Sequence, residues 1–170
     1  MKKKIVYVGL AADILHKGHI NILKTANRYG SIIVGLLTDQ AIASYKNIPY
    51  LDYEKRKVVI ENIRYVKKVV PQNTLDYVSN LELIKPDYVI HGNDWKTGVQ
   101  KKTRERVIKT LKKWSGKLIE PNYTENISST LIKKEMNNIV SSLENRVSRL
   151  KRLMNSKKIV RILESHNSLT

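Results

Sequence analysis

Short apolar runs rich in β-branched residues alternate with longer amphipathic stretches from Lys4 to Ile119. The first run, Lys4–Leu10, is bounded by lysines and a glycine and predicts a buried strand. Gly18–Tyr29 follows with helical spacing at Ile20, Leu23 and Asn27, Ile22 and Ala26 beside them, and Gly30 as a stop. Ser31–Leu37 predicts a second strand, ending in Thr38-Asp39. Such a strand–helix–strand unit forms a right-handed parallel crossover. Gln40–Leu51 is less regular. Asp52 then offers an N-cap for a helix reaching Arg64, with acids in its first turn. Val66–Val70 predicts a third strand stopped by Pro71, and Leu75–Ile84 a short helix stopped by Pro86. Asp87–Gly92 predicts a fourth strand, Val99–Trp114 a charged amphipathic helix ended by Gly116, and Lys117–Ile119 a short fifth strand. Asn122–Thr130 leads into a helix from about Ser129 to Asn137.

Strands alternating with helices predict an α/β fold: a Rossmann-like, five-stranded parallel sheet covered by helices on both faces. In such sheets ligands bind beyond the carboxyl ends of the strands, at the topological switch point. His16/His19, Asp39, Gly92–Trp95 and Ser128–Thr130 all follow predicted strand ends, which sets four polar clusters on one rim.

The C-terminal part differs. Ile139, Leu143, Val147, Leu150 and Met154 recur at four- and three-residue spacing among charged residues, a narrow apolar seam suited to a partner helix or to packing on its own domain. After Asn155-Ser156, the run from Lys158 to Asn167 reads as a strand with no sequence neighbour to pair with. The expected organisation is an α/β domain over 1–137, a linker or dimerisation helix over 138–156, and a fragment of a further domain over 157–170.

Composition narrows the class. The 170 residues suffice for one domain with a real core. No cysteine is present, which excludes disulfides and thiolate metal sites. Met1-Lys-Lys-Lys leads straight into a strand, and no apolar run approaches membrane-spanning length, so a soluble, cytoplasmic protein is expected. The formal net charge of +17 raises the possibility of a nucleic-acid partner. The bases are dispersed, however, and residues 138–170 alone hold seven Lys/Arg against two Asp/Glu. A lysine-rich solvated surface or an anionic small substrate accounts for the charge equally well, and nucleic acid is not the expected partner.

The chemistry concentrates between the first strand and first helix. Gly9, Leu10 and Ala11 run into Asp13 and then His16-Lys17-Gly18-His19. A helix start offers free backbone N–H groups and a positive dipole end, and two imidazoles add donors for phosphate oxygens. The pattern points to a nucleoside triphosphate site; two surface histidines at a turn are the plainer alternative.

His16–His19 after Asp13, His91-Gly-Asn-Asp-Trp95, and Tyr123-Thr-Glu-Asn-Ile-Ser-Ser-Thr130 together closely resemble the three signatures of the cytidylyltransferase family over roughly residues 4–135. The resemblance implies attack of a phosphate or phosphonate oxygen on the α-phosphorus of CTP, with pyrophosphate leaving and no covalent enzyme intermediate. It implies that His16 and His19 donate to the phosphates, that Lys46 clamps substrate and α-phosphate, and that Ser129 joins them. Gly9, Leu10, Ala11, Gly18, Tyr123, Thr124, Ile127, Ser128 and Thr130 would contact the nucleotide, and Gly92, Asn93, Asp94 and Trp95 its base and ribose. N-capping by the 128–130 hydroxyls and packing by Trp95 are the structural alternatives. Arg56 matches a family arginine, as a phosphate contact or a salt-bridged structural residue. Mg²⁺ is the implied cofactor, held mainly by CTP phosphates, with Asp13 either reaching it through water or orienting a histidine. Leu10-Ala11 replaces the usual Gly-Thr/Ser, Asn126 stands where the family has glycine, and Tyr123 where the glycerol-phosphate enzymes have arginine.

Residues 153–170 separately resemble the opening of a phosphoenolpyruvate mutase. Together the two resemblances imply the cytidylyltransferase part of a fusion used in phosphonate biosynthesis, with a covalently linked mutase domain and a homodimer as expected partners. The expected acceptor is then a small phosphonate, 2-hydroxyethylphosphonate or 2-aminoethylphosphonate. The alternatives are a phosphate monoester (phosphocholine, phosphoethanolamine or glycerol 3-phosphate) or a non-catalytic nucleotide- or RNA-binding module.

Overall fold

The computed structural model describes residues 3–122, 124, 129, 132 and 143–156. Five parallel strands, β1 (Ile5–Leu10), β2 (Ser31–Leu37), β3 (Val66–Gln72), β4 (Tyr88–Ile90) and β5 (Lys117–Ile119), form one sheet in the order β3-β2-β1-β4-β5. Among the described residues the α-helices that can be delimited are α1 (Lys17–Asn27), α2 (Asp39–Ala43), α3 (Tyr53–Glu61), α4 (Val78–Ile84), α5 (Lys101–Leu111) and α6 (Leu143–Ser156). The α/β architecture expected from the alternation is the one observed.

The twofold period of β1 divides the core. Val6, Val8 and Leu10 pack on one face with Leu23 and Ala26 of α1 and Ile60 of α3. Tyr7 turns to the other face, with Leu81 of α4 and Val107 and Leu111 of α5. Connections out of β1 and β2 therefore cover one face, and those out of β3 and β4 the other. The change of face falls between β1 and β4, the switch point of the sheet.

Three local readings shift. β3 runs through Pro71, which pairs with Leu36, instead of stopping at Val70. β3 is an edge strand, where a missing N–H costs no ladder bond. Asp39–Ala43 is a short helix capped by Thr38, whose Oγ1 accepts from the Ala41 N–H at 3.3 Å; five residues are too few to show a periodicity. The turn after α5 puts Ser115, not Gly116, in the left-handed region at φ 61°. Gly116 is needed for space, since a Cβ there would stand 2.8 Å from Leu111 and 3.0 Å from the Pro86 carbonyl. Asp52 caps α3 as expected, its Oδ1 accepting from the Lys55 N–H at 3.0 Å.

α6 packs against α2, and Val147, Leu150 and Met154 remain 45 %, 42 % and 55 % exposed. The face turned to the domain is the arginine face: Arg149 lies over the Tyr50 ring, and Arg152 reaches Tyr50 and Asp39. The helix expected over 129–137, apart from Ser129 and Ile132, and the strand and domain fragment expected within 157–170 lie outside the described residues. No helix among the described residues is long and apolar enough to cross a membrane.

Candidate active site

A cavity opens at the switch point, walled by Gly9, Leu10 and Ala11 from the end of β1 and by Ile90, His91 and Gly92 from the end of β4. Gly9 makes room for it. A Cβ at this position would lie 2.2 Å from the Tyr77 hydroxyl, and Tyr77 itself lines the cavity. Beyond β1, Ala12 takes φ 49°, a left-handed conformation that costs an L residue roughly 1–2 kcal/mol. The turn leads to Asp13, whose Oδ1 accepts from the Tyr50 and Leu51 N–H groups at 2.6 and 3.2 Å.

The two histidines form a capping box on α1. His16 is the N-cap, and its Nδ1 accepts from the Gly18 N–H at 3.2 Å; His19 Nδ1 accepts from the His16 N–H at 3.3 Å. An imidazole that accepts at Nδ1 carries its proton on Nε2, so each ring keeps one N–H for an outside partner. The rings lie tilted with centroids 4.0 Å apart. Gly18 is required between them: a Cβ there would meet His16 Cε1 at 2.9 Å. The H-x-G-H spacing is thus the geometry of two imidazoles folded back over one helix start.

Both rings are held neutral. Burial, assisted by His16 and Lys46, pushes His19 down to about 3, and burial lowers His16 as well. His91 is likewise lowered, chiefly by burial. Its Nδ1 lies 2.8 Å from the Gly92 carbonyl and donates to it, which leaves Nε2 as an acceptor. These shifts make the fold acid-sensitive. The unfolded chain takes up protons near pH ~6.5 that the folded chain refuses until lower pH, so this stability is complete above that value and is lost as pH falls toward about 3. Denaturant midpoints measured at pH 7.5, 6 and 5 should decline, and His19→Asn should make the decline shallower. An equal decline in both proteins would contradict a neutral, buried His19.

Of the residues expected at the site, Gly9, Leu10, Ala11, His16, Gly18, His19, Lys46, Gly92, Asp94, Thr124 and Ser129 line the cavity together. Ser129 Oγ donates to the Ile14 carbonyl at 3.2 Å, and Thr124 Oγ1 accepts from Asn21 at 3.2 Å, tying the third signature to α1 and the turn before it. Lys46 stands over the Tyr45 ring, 5.4 Å from its centroid.

Four expected residues do not line the cavity. Arg56 is fully buried, donating to the Ala11 carbonyl at 2.6 Å, the Leu51 carbonyl at 3.1 Å and Asp39 Oδ1 at 2.7 Å, so its guanidinium is taken up by protein acceptors and does not line the cavity. Asp13 is buried and braces the 50–51 loop through its Oδ1. Trp95 is 1 % exposed, donates to Glu120 at 2.7 Å, stacks on His91 at 3.9 Å and 8°, and packs on Tyr77 at 5.8 Å, so it backs two rings of the cavity without lining it. Asn93 turns its amide to Asn122. Tyr123, Ile127, Ser128 and Thr130 lie outside the described residues. His91, Tyr45, Tyr77 and Gln100 line the cavity and were not singled out as site residues. The His91-Gly-Asn-Asp-Trp signature held the signal for His91, hidden because the tryptophan is the more conspicuous ring.

Residues 7–135 match the profile of a family described as cytidylyltransferase-like. Glycerol-3-phosphate cytidylyltransferase of Staphylococcus aureus is 33 % identical over 138 residues, covering 80 % of this chain and 96 % of that protein. Ethanolamine-phosphate cytidylyltransferase of Mus musculus is 35 % identical over 123 residues, 69 % of this chain and 29 % of the mouse protein. Among solved structures, a lipopolysaccharide core biosynthesis protein from Thermoplasma volcanium superposes with a TM-score of 0.63 at 22 % identity, over 72 % of this chain and 99 % of that one, a likeness of fold. A cavity at the switch point, two imidazoles on a helix start and a family match over most of the chain agree: this protein belongs to the cytidylyltransferase-like family of nucleotidyltransferases.

Proposed function

We propose that the chain transfers CMP from CTP to a small phosphorylated alcohol of the glycerol phosphate or ethanolamine phosphate class, releasing pyrophosphate. The observation that carries the reading is the pair of neutral imidazoles with Nε2–H groups available at the start of α1, beside Lys46. An acceptor phosphate oxygen attacks the α-phosphorus of CTP. The bond from that phosphorus to the bridging oxygen breaks, and its electrons leave with pyrophosphate. The nucleophile is already anionic, so the site needs alignment and neutralisation of developing charge in place of a strong base. His16 and His19 donate to phosphate oxygens, the free N–H groups of α1 add to them, and Lys46 supplies the positive charge. At the β4 end, Gly92, Asp94 and the acceptor nitrogen of His91 serve base and ribose.

Magnesium fits this site as a passenger of the nucleotide. Asp94 is the one carboxylate among the described residues lining the cavity, and no cluster of three candidate metal ligands occurs among the described residues. Mg²⁺ dehydrates reluctantly and is commonly held by phosphates with one or two carboxylates. Asp94 would reach it through water, and the ion would offset triphosphate charge.

The names of the relatives favour a phosphate monoester over the phosphonate that the tail suggests. Residues 153–170 support the phosphonate as a second reading. Pyrophosphate release with CTP and Mg²⁺ should be measured against glycerol 3-phosphate, phosphoethanolamine, phosphocholine and the two ethylphosphonates. The highest kcat/KM is expected with a phosphomonoester. Turnover of phosphonates alone would establish the second reading, and release with none would overturn both.

A further inference from the structure

We propose that Arg152 of α6 is a positioning residue for Lys46, so that a helix outside the family-matched region sets the reactivity of the site. The proposal rests on the reading of Lys46 as a group that acts on the transferring phosphate. Lys46 is exposed on a short tip; Ala43 before it and Ile48 and Pro49 after it are buried. Its segment begins at Asp39, the first residue of α2, and closes at Tyr50. One guanidinium spans both ends: Arg152 Nη1 donates to the Tyr50 carbonyl, and Nη2 lies 3.4 Å from Asp39 Oδ2. Arg149, one turn earlier, lies over the Tyr50 ring at 4.7 Å.

Both ends that Arg152 grips are also fastened to the cavity wall. Asp39 Oδ1 accepts from Arg56, which in turn donates to the Ala11 carbonyl. The Tyr50 N–H donates to Asp13, at the turn between β1 and α1. With α6 docked, the distance between Asp39 and Tyr50 is fixed and the tip carrying Lys46 is held at the cavity. With Arg152 removed, the direct link between the Tyr50 carbonyl and Asp39 is lost, while the ties of Asp13 and Arg56 to the wall stay in place. A lysine replaces it only in part, because its three donors radiate from a single nitrogen and lack the planar fork whose separated nitrogens reach the Tyr50 carbonyl and Asp39 together. The control is therefore specific to the planar fork of arginine.

Hydrogen exchange over residues 39–51 and steady-state CTP turnover should be compared in the full chain for wild type, Arg152→Ala and Arg152→Lys, and for both arginine variants combined with Lys46→Ala. Arg152→Ala should speed exchange in this segment by about tenfold while β1 and α1 stay protected. It should lower kcat by about tenfold with KM for CTP nearly constant, since misplacing an aligned group costs rate. Arg152→Lys, the milder change, should fall between. In the Lys46→Ala background, Arg152→Ala should cost less than about twofold further, because the two act as a unit. Unchanged exchange in the segment, or an equal rate loss with and without Lys46, would overturn the proposal. Should the wild-type chain turn over no acceptor, the functional reading fails, and the exchange comparison alone decides whether Arg152 fixes this segment.

Discussion

Replacing either His16 or His19 by alanine is expected to lower CMP transfer by about two orders of magnitude, the usual consequence of removing a preorganised donor to transition-state charge. The geometry says which nitrogen matters. Nδ1 of each ring is occupied by a backbone N–H of the capping box, so the working donor is Nε2–H. Glutamine can place an amide N–H near the Nε2 position, whereas asparagine reaches only as far as Nδ1. His19→Gln should therefore retain more rate than His19→Asn or His19→Ala. Because His19 stays neutral down to about 3, its donor is the same across the neutral range, and the rate should show no inflection from it between pH ~6 and ~8. Pyrophosphate release at saturating CTP measures all of this. Near-wild-type turnover in both alanine variants would remove the histidines from the mechanism.

Arg56→Ala is expected to destabilise the fold by about 3 kcal/mol, the lower end of the range for breaking a buried ion pair on one side, because Asp39 keeps 23 % of its side chain exposed. Its side chain has no exposed surface and satisfies the Ala11 and Leu51 carbonyls as well as Asp39. Removal opens a cavity between α3 and the end of β1 and strands three acceptors. Arg152 retains one oxygen of Asp39, which spares part of the cost. For a domain stable by roughly 5–15 kcal/mol, the midpoint of denaturant unfolding should fall steeply. A phosphate-contacting arginine would behave oppositely, with raised KM and an unchanged midpoint. That pattern in Arg56→Lys, the variant better able to fold, would return Arg56 to the site.

The family resemblance and the expected layering withstand comparison with the structure because both rest on patterns local in sequence. A strand buried on both sides must be apolar at every position, and β1 is. A helix start that folds two imidazoles back over itself needs a cap and a residue without a Cβ between them, and His16-Lys17-Gly18-His19 supplies both within four residues. Gly9 was legible only as a site glycine. Its real constraint is Tyr77, far along the chain and brought beneath it by α4.

Fold class, the switch-point cavity and the histidine pair follow from the sequence, since periodicity and capping act over a few residues. The partners of buried polar groups do not. Arg56 bonded to Asp39, Trp95 stacked on His91, and Arg152 reaching Asp39 from 113 positions away are contacts that only packing decides. A charged side chain reads the same in sequence whether it meets water, substrate or a carboxylate. Which of these it meets depends on register and helix placement, and on the cost of leaving any one of them unpaired in the interior.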